Sequence, residues 1–105
     1  MLNRAIGRVK AWEVNQRDSY AQLGYDVGSQ YRSLGLMTEA VRAVVRYLLI
    51  DAGFNRVYAM IRESNIASIR VCEKAGFVHE GTMRKHFVEN DGTFVNVLVY
   101  GILVS

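Results

Sequence analysis

Proline is absent from the 105 residues, and cysteine and tryptophan occur once each. Without proline, the limits of helices and strands must rest on glycine, asparagine and aspartate. A single cysteine, Cys72, excludes an internal disulfide framework and fits a reducing compartment, so a cytoplasmic location is expected. With two histidines and one cysteine, widely spaced, no metal-ligand pattern forms, and no metal is expected. No apolar run approaches the roughly 18 residues of a membrane span. Met1 to Arg4 opens into strand-like sequence rather than a leader pattern, so neither a signal peptide nor a membrane is expected. Basic runs are also missing. The net charge of +3 is spread over scattered arginines, which suits an anionic small ligand better than direct nucleic-acid binding.

Apolar residues make up 50% of the chain and charged ones 22%, which excludes a disordered or polar low-complexity segment. A chain of this size buries roughly 60–70% of its unfolded surface, enough for one core and one site. Residues 1–105 read as a single domain, with no internal repeat and no linker.

Ile6 to Val14 alternates like a strand, Asn15 to Asp18 is a polar turn, and Tyr20 to Val27 is a second strand, giving an antiparallel hairpin. Gly24 inside the second strand marks either a bulge or a close backbone approach. Met37, Ala40, Val41, Val44, Val45, Leu48 and Leu49 recur at three- and four-residue steps, so a helix is predicted from Met37 to Ala52, with Gly53 as a left-handed terminator. Phe54 to Ile61 is a third strand. A shorter helix, Ile66 to Ala75, starts after Asn65 as N-cap and stops at Gly76. Phe77 to Phe87 and Thr93 to Val104 are the last strands, joined through Asn90-Asp91-Gly92. The class is α+β, a mixed and mainly antiparallel sheet with two main helices.

The stretch from Gln30 to Ala40 carries the first functional signal. A strand that passes through a small-residue loop into a helix start makes an anion site, because the first helical N–H groups lack partners and the dipole favours negative charge. Gly35 lets a ligand approach the backbone, and Arg32 adds a planar charged fork suited to phosphate. Thr38 and Glu39 are placed in the first helical turn. Cys72 reads as a small buried residue rather than a nucleophile.

Three stretches in order, Leu23-Gly24-Tyr25-Asp26-Val27, Tyr31 to Ala40, and Asn65 to Phe77 followed by Gly81-Thr82-Met83-Arg84, together resemble the GCN5-related N-acetyltransferase (GNAT) superfamily. The likeness is to the branch of ribosomal-protein N-terminal alanine and serine acetyltransferases, and it covers roughly residues 5 to 104. It implies acetyl-coenzyme A as donor and a primary amine, either a protein N-terminus or a small amine, as acceptor. It further implies that the strand of Gly24, Tyr25, Asp26 and Val27 bonds the pantetheine arm through its backbone. The loop and helix start, Arg32, Ser33, Leu34, Gly35, Leu36, Met37 and Thr38, is implied to wrap the pyrophosphate. Met37 stands where the family carries a small residue and Ser33 where glycine is common; both are tolerable because backbone N–H groups do the binding. Asn65 is implied to contact the cofactor arm. Ser68 is implied to lie near the sulfur, as the candidate catalytic group beside the departing thiolate. A fixed hydrogen bond to developing sulfur charge is the more physical role for its hydroxyl.

Family members carry a first strand and two helices ahead of the segment matching Ile6, and this chain is expected to lack them, leaving the acceptor side incomplete. A non-catalytic acetyl-coenzyme A-binding or assembly module is therefore the alternative to an enzyme. A homodimer is expected, because the missing elements would leave a sheet edge or apolar surface to be covered by a second copy.

Overall fold

A computed structural model describes residues 7–27 and 34–104. Strands β1 (Gly7–Asn15) and β2 (Tyr20–Val27) form the expected hairpin, in register from Gly7 opposite Val27 to Trp12 opposite Gln22. Gly24 pairs with Lys10 without a slip; the shift falls instead between Trp12 and Asn15, beside the turn. The bulge reading of Gly24 is thereby corrected, and close backbone approach remains. In the turn, the Asp18 N–H donates to Asn15 Oδ1 at 2.8 Å and Ser19 adopts φ 64°. Asparagine at 15 supplies the side-chain acceptor that bends the chain.

Helix α1 spans Leu34–Arg46 and continues into one π-helical turn, Tyr47–Asp51. Met37, Ala40, Val41 and Val45 are buried along one face, while Glu39, Arg42 and Arg46 are exposed. The helix starts three residues before the predicted Met37, so Gly35 and Leu36 belong to its first turn. Thr38 and Glu39 fall in the second, and the first turn holds no acidic residue. The placement of Thr38 and Glu39 in the first helical turn is therefore corrected. The π turn closes with the Ala52 N–H on the Tyr47 carbonyl at 2.8 Å, and Gly53 follows at φ 79° as expected. It buries the adjacent pair Leu48 and Leu49 while Tyr47 and Ile50 stay exposed.

Strand β3 (Arg56–Arg62) buries Val57, Ala59 and Ile61. Helix α2 (Ile66–Lys74) buries Ser68, Val71 and Cys72. It ends in a full Schellman arrangement: Gly76 at φ 101° donates to the Glu73 carbonyl, and Phe77 donates to the Cys72 carbonyl, both at 3.1 Å. Strands β4 (Val78–Val88) and β5 (Phe94–Leu103) turn at Gly92, φ 87°, where Asp91 Oδ1 accepts from the Thr93 N–H at 2.9 Å.

The five strands form one sheet in the order β1-β2-β3-β5-β4. The β2–β3 contact is parallel, with α1 as its crossover, and the other contacts are antiparallel. The two helices pack on each other and on the sheet over a core that includes Leu23, Met37, Val41, Val57, Val71 and Cys72, all under 2% exposed. Long side chains cross the rest of the sheet surface. The Arg56–Glu80 ion pair closes at 2.7 Å over Gly101, and the Tyr58 hydroxyl donates to Gln22 Oε1 at 3.2 Å.

Candidate acetyl-donor site

Parallel pairing between β2 and β3 is short. It holds Tyr20 to Arg56, Ala21 to Val57 and Gln22 to Tyr58, and then stops, although both strands continue. Beyond that point, among the described residues, β2 keeps β1 on one side only. Backbone groups of a strand alternate sides, so part of those in the Leu23–Val27 segment face the gap without a ladder partner. A cleft of about 310 Å³ fills the gap. Leu23, Gly24 and Tyr25 line it from β2, Ala59 to Arg62 from β3, and Asn65 and Ser68 from the start of α2.

Asn65 builds the α2 wall. Its Oδ1 accepts from the Ser68 N–H at 3.2 Å, the N-cap bond that satisfies one of the four orphan donors of a helix start. Asn65→Ala is expected to lower stability by about 1 kcal/mol, read as a fall in Tm of roughly 4–8 °C. Asn65→Asp keeps the cap, so it leaves Tm close to the original and isolates any ligand contact made by the amide.

Ser68 is 3% exposed. Its N–H is held by Asn65 and its carbonyl accepts from the Tyr25 hydroxyl. Tyr25 packs against the core, and burial, ahead of the neighbouring Cys72, raises its pKa well above the ordinary tyrosine value. Burial also pushes the Cys72 thiol up to about 12, with its hydrogen bond to Tyr25 pulling the other way. A fully buried thiol held neutral is a packing residue, in agreement with the sequence reading. At the next residue of α2, the Tyr100 hydroxyl donates to Glu73 Oε2 at 3.0 Å. Burial and then that carboxylate raise the Tyr100 pKa to about 12.

Four of the expected positions, Gly24, Tyr25, Asn65 and Ser68, thus meet at one cleft although 40 residues separate the two pairs in the chain. Asp26 and Val27 continue β2 past it. Leu34 to Thr38 form the start of α1; Gly35 and Leu36 are exposed there, while Met37 and Thr38 are buried. Arg32 and Ser33 lie outside the described residues. The wall from Ala59 to Arg62 was not anticipated. Its signal was available in principle, because ligands favour the C-terminal ends of parallel strands joined through a crossover helix. Arg62 at that end lies 4.0 Å over the Phe87 ring and pairs with Glu89 at 3.2 Å. Among the described residues, no group of three potential metal ligands occurs and no helix is long and apolar enough to cross a membrane.

The chain and its fold have counterparts among known proteins. Residues 2–78 match the family described as acetyltransferase (GNAT) domain. A Bacillus subtilis protein named "Probable N-acetyltransferase YjcK" is 36% identical over 102 residues, covering 96% of this chain and 56% of that protein. A second from the same organism, "Uncharacterized N-acetyltransferase YoaA", is 31% identical over 98 residues, covering 93% and 55%. The chain therefore spans about half the length of the curated relatives it matches. A crystal structure titled "Probable acetyltransferase" superposes with a TM-score of 0.84 at 26% identity, over 93% of this chain and 55% of that one. The spermidine N-acetyltransferase SpeG of Vibrio cholerae, as its F149A mutant, superposes with a TM-score of 0.84 at 22% identity, over 95% and 59%, and shares the fold. The chain belongs to the GNAT acetyltransferase family.

Proposed function

We propose that the chain binds acetyl-coenzyme A in the cleft between β2 and β3 and transfers its acetyl group to a primary amine. The early end of the β2–β3 ladder carries this reading, because it frees strand backbone groups to pair with an extended amide-bearing arm. The cleft fits such an arm. Leu23, Ala59, Met60 and Ile61 line it with apolar surface, and the backbone of Gly24 and Tyr25 supplies polar groups. When bound, the donor supplies an activated thioester. N–H groups around Gly24 and Tyr25 polarise its carbonyl, and the Ser68 hydroxyl stands on the α2 wall to meet the developing charge on sulfur. The exposed first turn of α1, at Gly35 and Leu36, is the place for the pyrophosphate, with Arg32 and Ser33 before it. Holding donor and neutral amine in contact provides most of the acceleration.

The acceptor is a small amine or a protein N-terminus. The shared fold of the spermidine N-acetyltransferases favours testing small amines first. Calorimetric titration of the folded protein with acetyl-coenzyme A, followed by thiol release with spermidine and with alanine- or serine-starting peptides, tests the proposal. Saturable binding and thiol release with one acceptor are expected. No binding overturns the donor site, and binding without thiol release assigns the chain the role of a non-catalytic acetyl-coenzyme A-binding module.

A further inference from the structure

Ala21, Leu23 and Tyr25 alternate along β2 toward the helices, and the first two are no more than 1% exposed. Tyr25 is the next residue on that face, three positions beyond the last β2–β3 pair at Gln22 and Tyr58. Its ring leans on the core, and its hydroxyl crosses to α2, donating to the carbonyl of Ser68 in the first helical turn. The same phenol oxygen lies against Cys72, one turn farther along. A side-chain bond to the helix therefore begins where the ladder bonds between the strands end.

We propose that Tyr25 is a positioning residue: its hydroxyl latches the free edge of β2 to the first turn of α2 and so sets the width of the cleft. The role rests on the reading of that cleft as the acetyl-coenzyme A site. The geometry suits the task. A strand paired on one side only can twist away from its former partner, and a cleft that widens loses simultaneous contact with both walls. Tyrosine holds the span with two rotatable bonds, so little entropy is lost on fixing it. Its raised pKa keeps the hydroxyl a donor throughout the neutral range, so the latch does not open by titration. The carbonyl it reaches belongs to Ser68, whose own N–H is tied to Asn65. One side chain thereby couples the Gly24–Tyr25 backbone, the helix cap and the Ser68 hydroxyl into a single wall-to-wall distance.

Tyr25→Phe removes the hydroxyl and keeps the ring. In the free protein, amide hydrogen exchange at residues 69–72 is expected to accelerate fivefold or more. Titrated with acetyl-coenzyme A carrying carbon-13 at the thioester carbonyl, the variant is expected to bind at least fivefold more weakly, with the bound carbonyl resonance displaced toward its free position. Val45→Ala, in the α1 core away from the cleft, controls for general loss of stability. It is expected to lower Tm while leaving affinity and resonance as in the unaltered protein. Unaltered affinity and resonance in Tyr25→Phe overturn the latch, as does an equal change in both variants. Absence of binding by the unaltered protein overturns the acetyl-coenzyme A reading instead. Exchange then judges the latch alone, and unchanged exchange at residues 69–72 overturns it.

Discussion

Leu23→Ala is expected to destabilise the protein by about 3 kcal/mol, within the roughly 2–5 kcal/mol found for removing a leucine from a packed core. Leu23 is 1% exposed, belongs to the main core and also lines the cleft. Two losses combine: the transfer free energy of the deleted methyl groups, and the void left between β2 and the helices. Collapse into that void is restricted by the β1 ladder, which pairs Leu23 with Ala11 and holds the strand in place. A small domain has a total stability of about 5–15 kcal/mol, so this change removes a large share of it. Urea denaturation should show a lower midpoint at an unchanged slope. A midpoint within error of the original would mean that the cleft wall is already loose.

Gly35→Asp should separate folding from binding in opposite directions. Gly35 lies in the first turn of α1 and is exposed, and among the described residues no atom outside its own helix backbone and chain neighbours comes within 4 Å of the place a Cβ would occupy. Neither backbone strain nor crowding therefore requires glycine here. Aspartate is itself a weak helix former, so the swap recovers only about 0.3 kcal/mol of propensity, and a carboxylate at a helix start adds roughly 0.3–1 kcal/mol. The variant should be more stable than the original. Its affinity for acetyl-coenzyme A should fall by roughly 10- to 100-fold, because a fixed negative charge then faces the phosphates at close range. Gly35→Ala tests close approach without the charge. If Gly35→Asp binds as tightly as the original, the pyrophosphate is not at this turn.

Much of the element order was legible because its signals are local. The hairpin follows from alternation, Asn15 and Asp18. The terminators Gly53, Gly76 and Gly92 all take positive φ, the conformation for which glycine was read at each place. The start of α1 was misplaced for the same kind of reason. Gly35 resembles loop sequence, yet the helix passes through it and buries Met37, so packing outweighed propensity. The π turn was invisible because apolar spacing does not distinguish four- from five-residue closure over a single turn.

What the sequence determined by itself was the set of strands and helices and the resemblance that the family match later upheld; the anion-binding role of the stretch from Arg32 to Thr38 comes from the same local signals and stands as a proposal. These depend on residues close together in the chain. The tertiary structure decided where the ladder between β2 and β3 ends, that Ala59 to Arg62 form the second wall, and that Tyr25 reaches Ser68 across 43 residues. The physical reason is that pairing between distant strands, and the gap where it stops, is settled by packing of the helices on the sheet. No local periodicity records how far two parallel strands stay together.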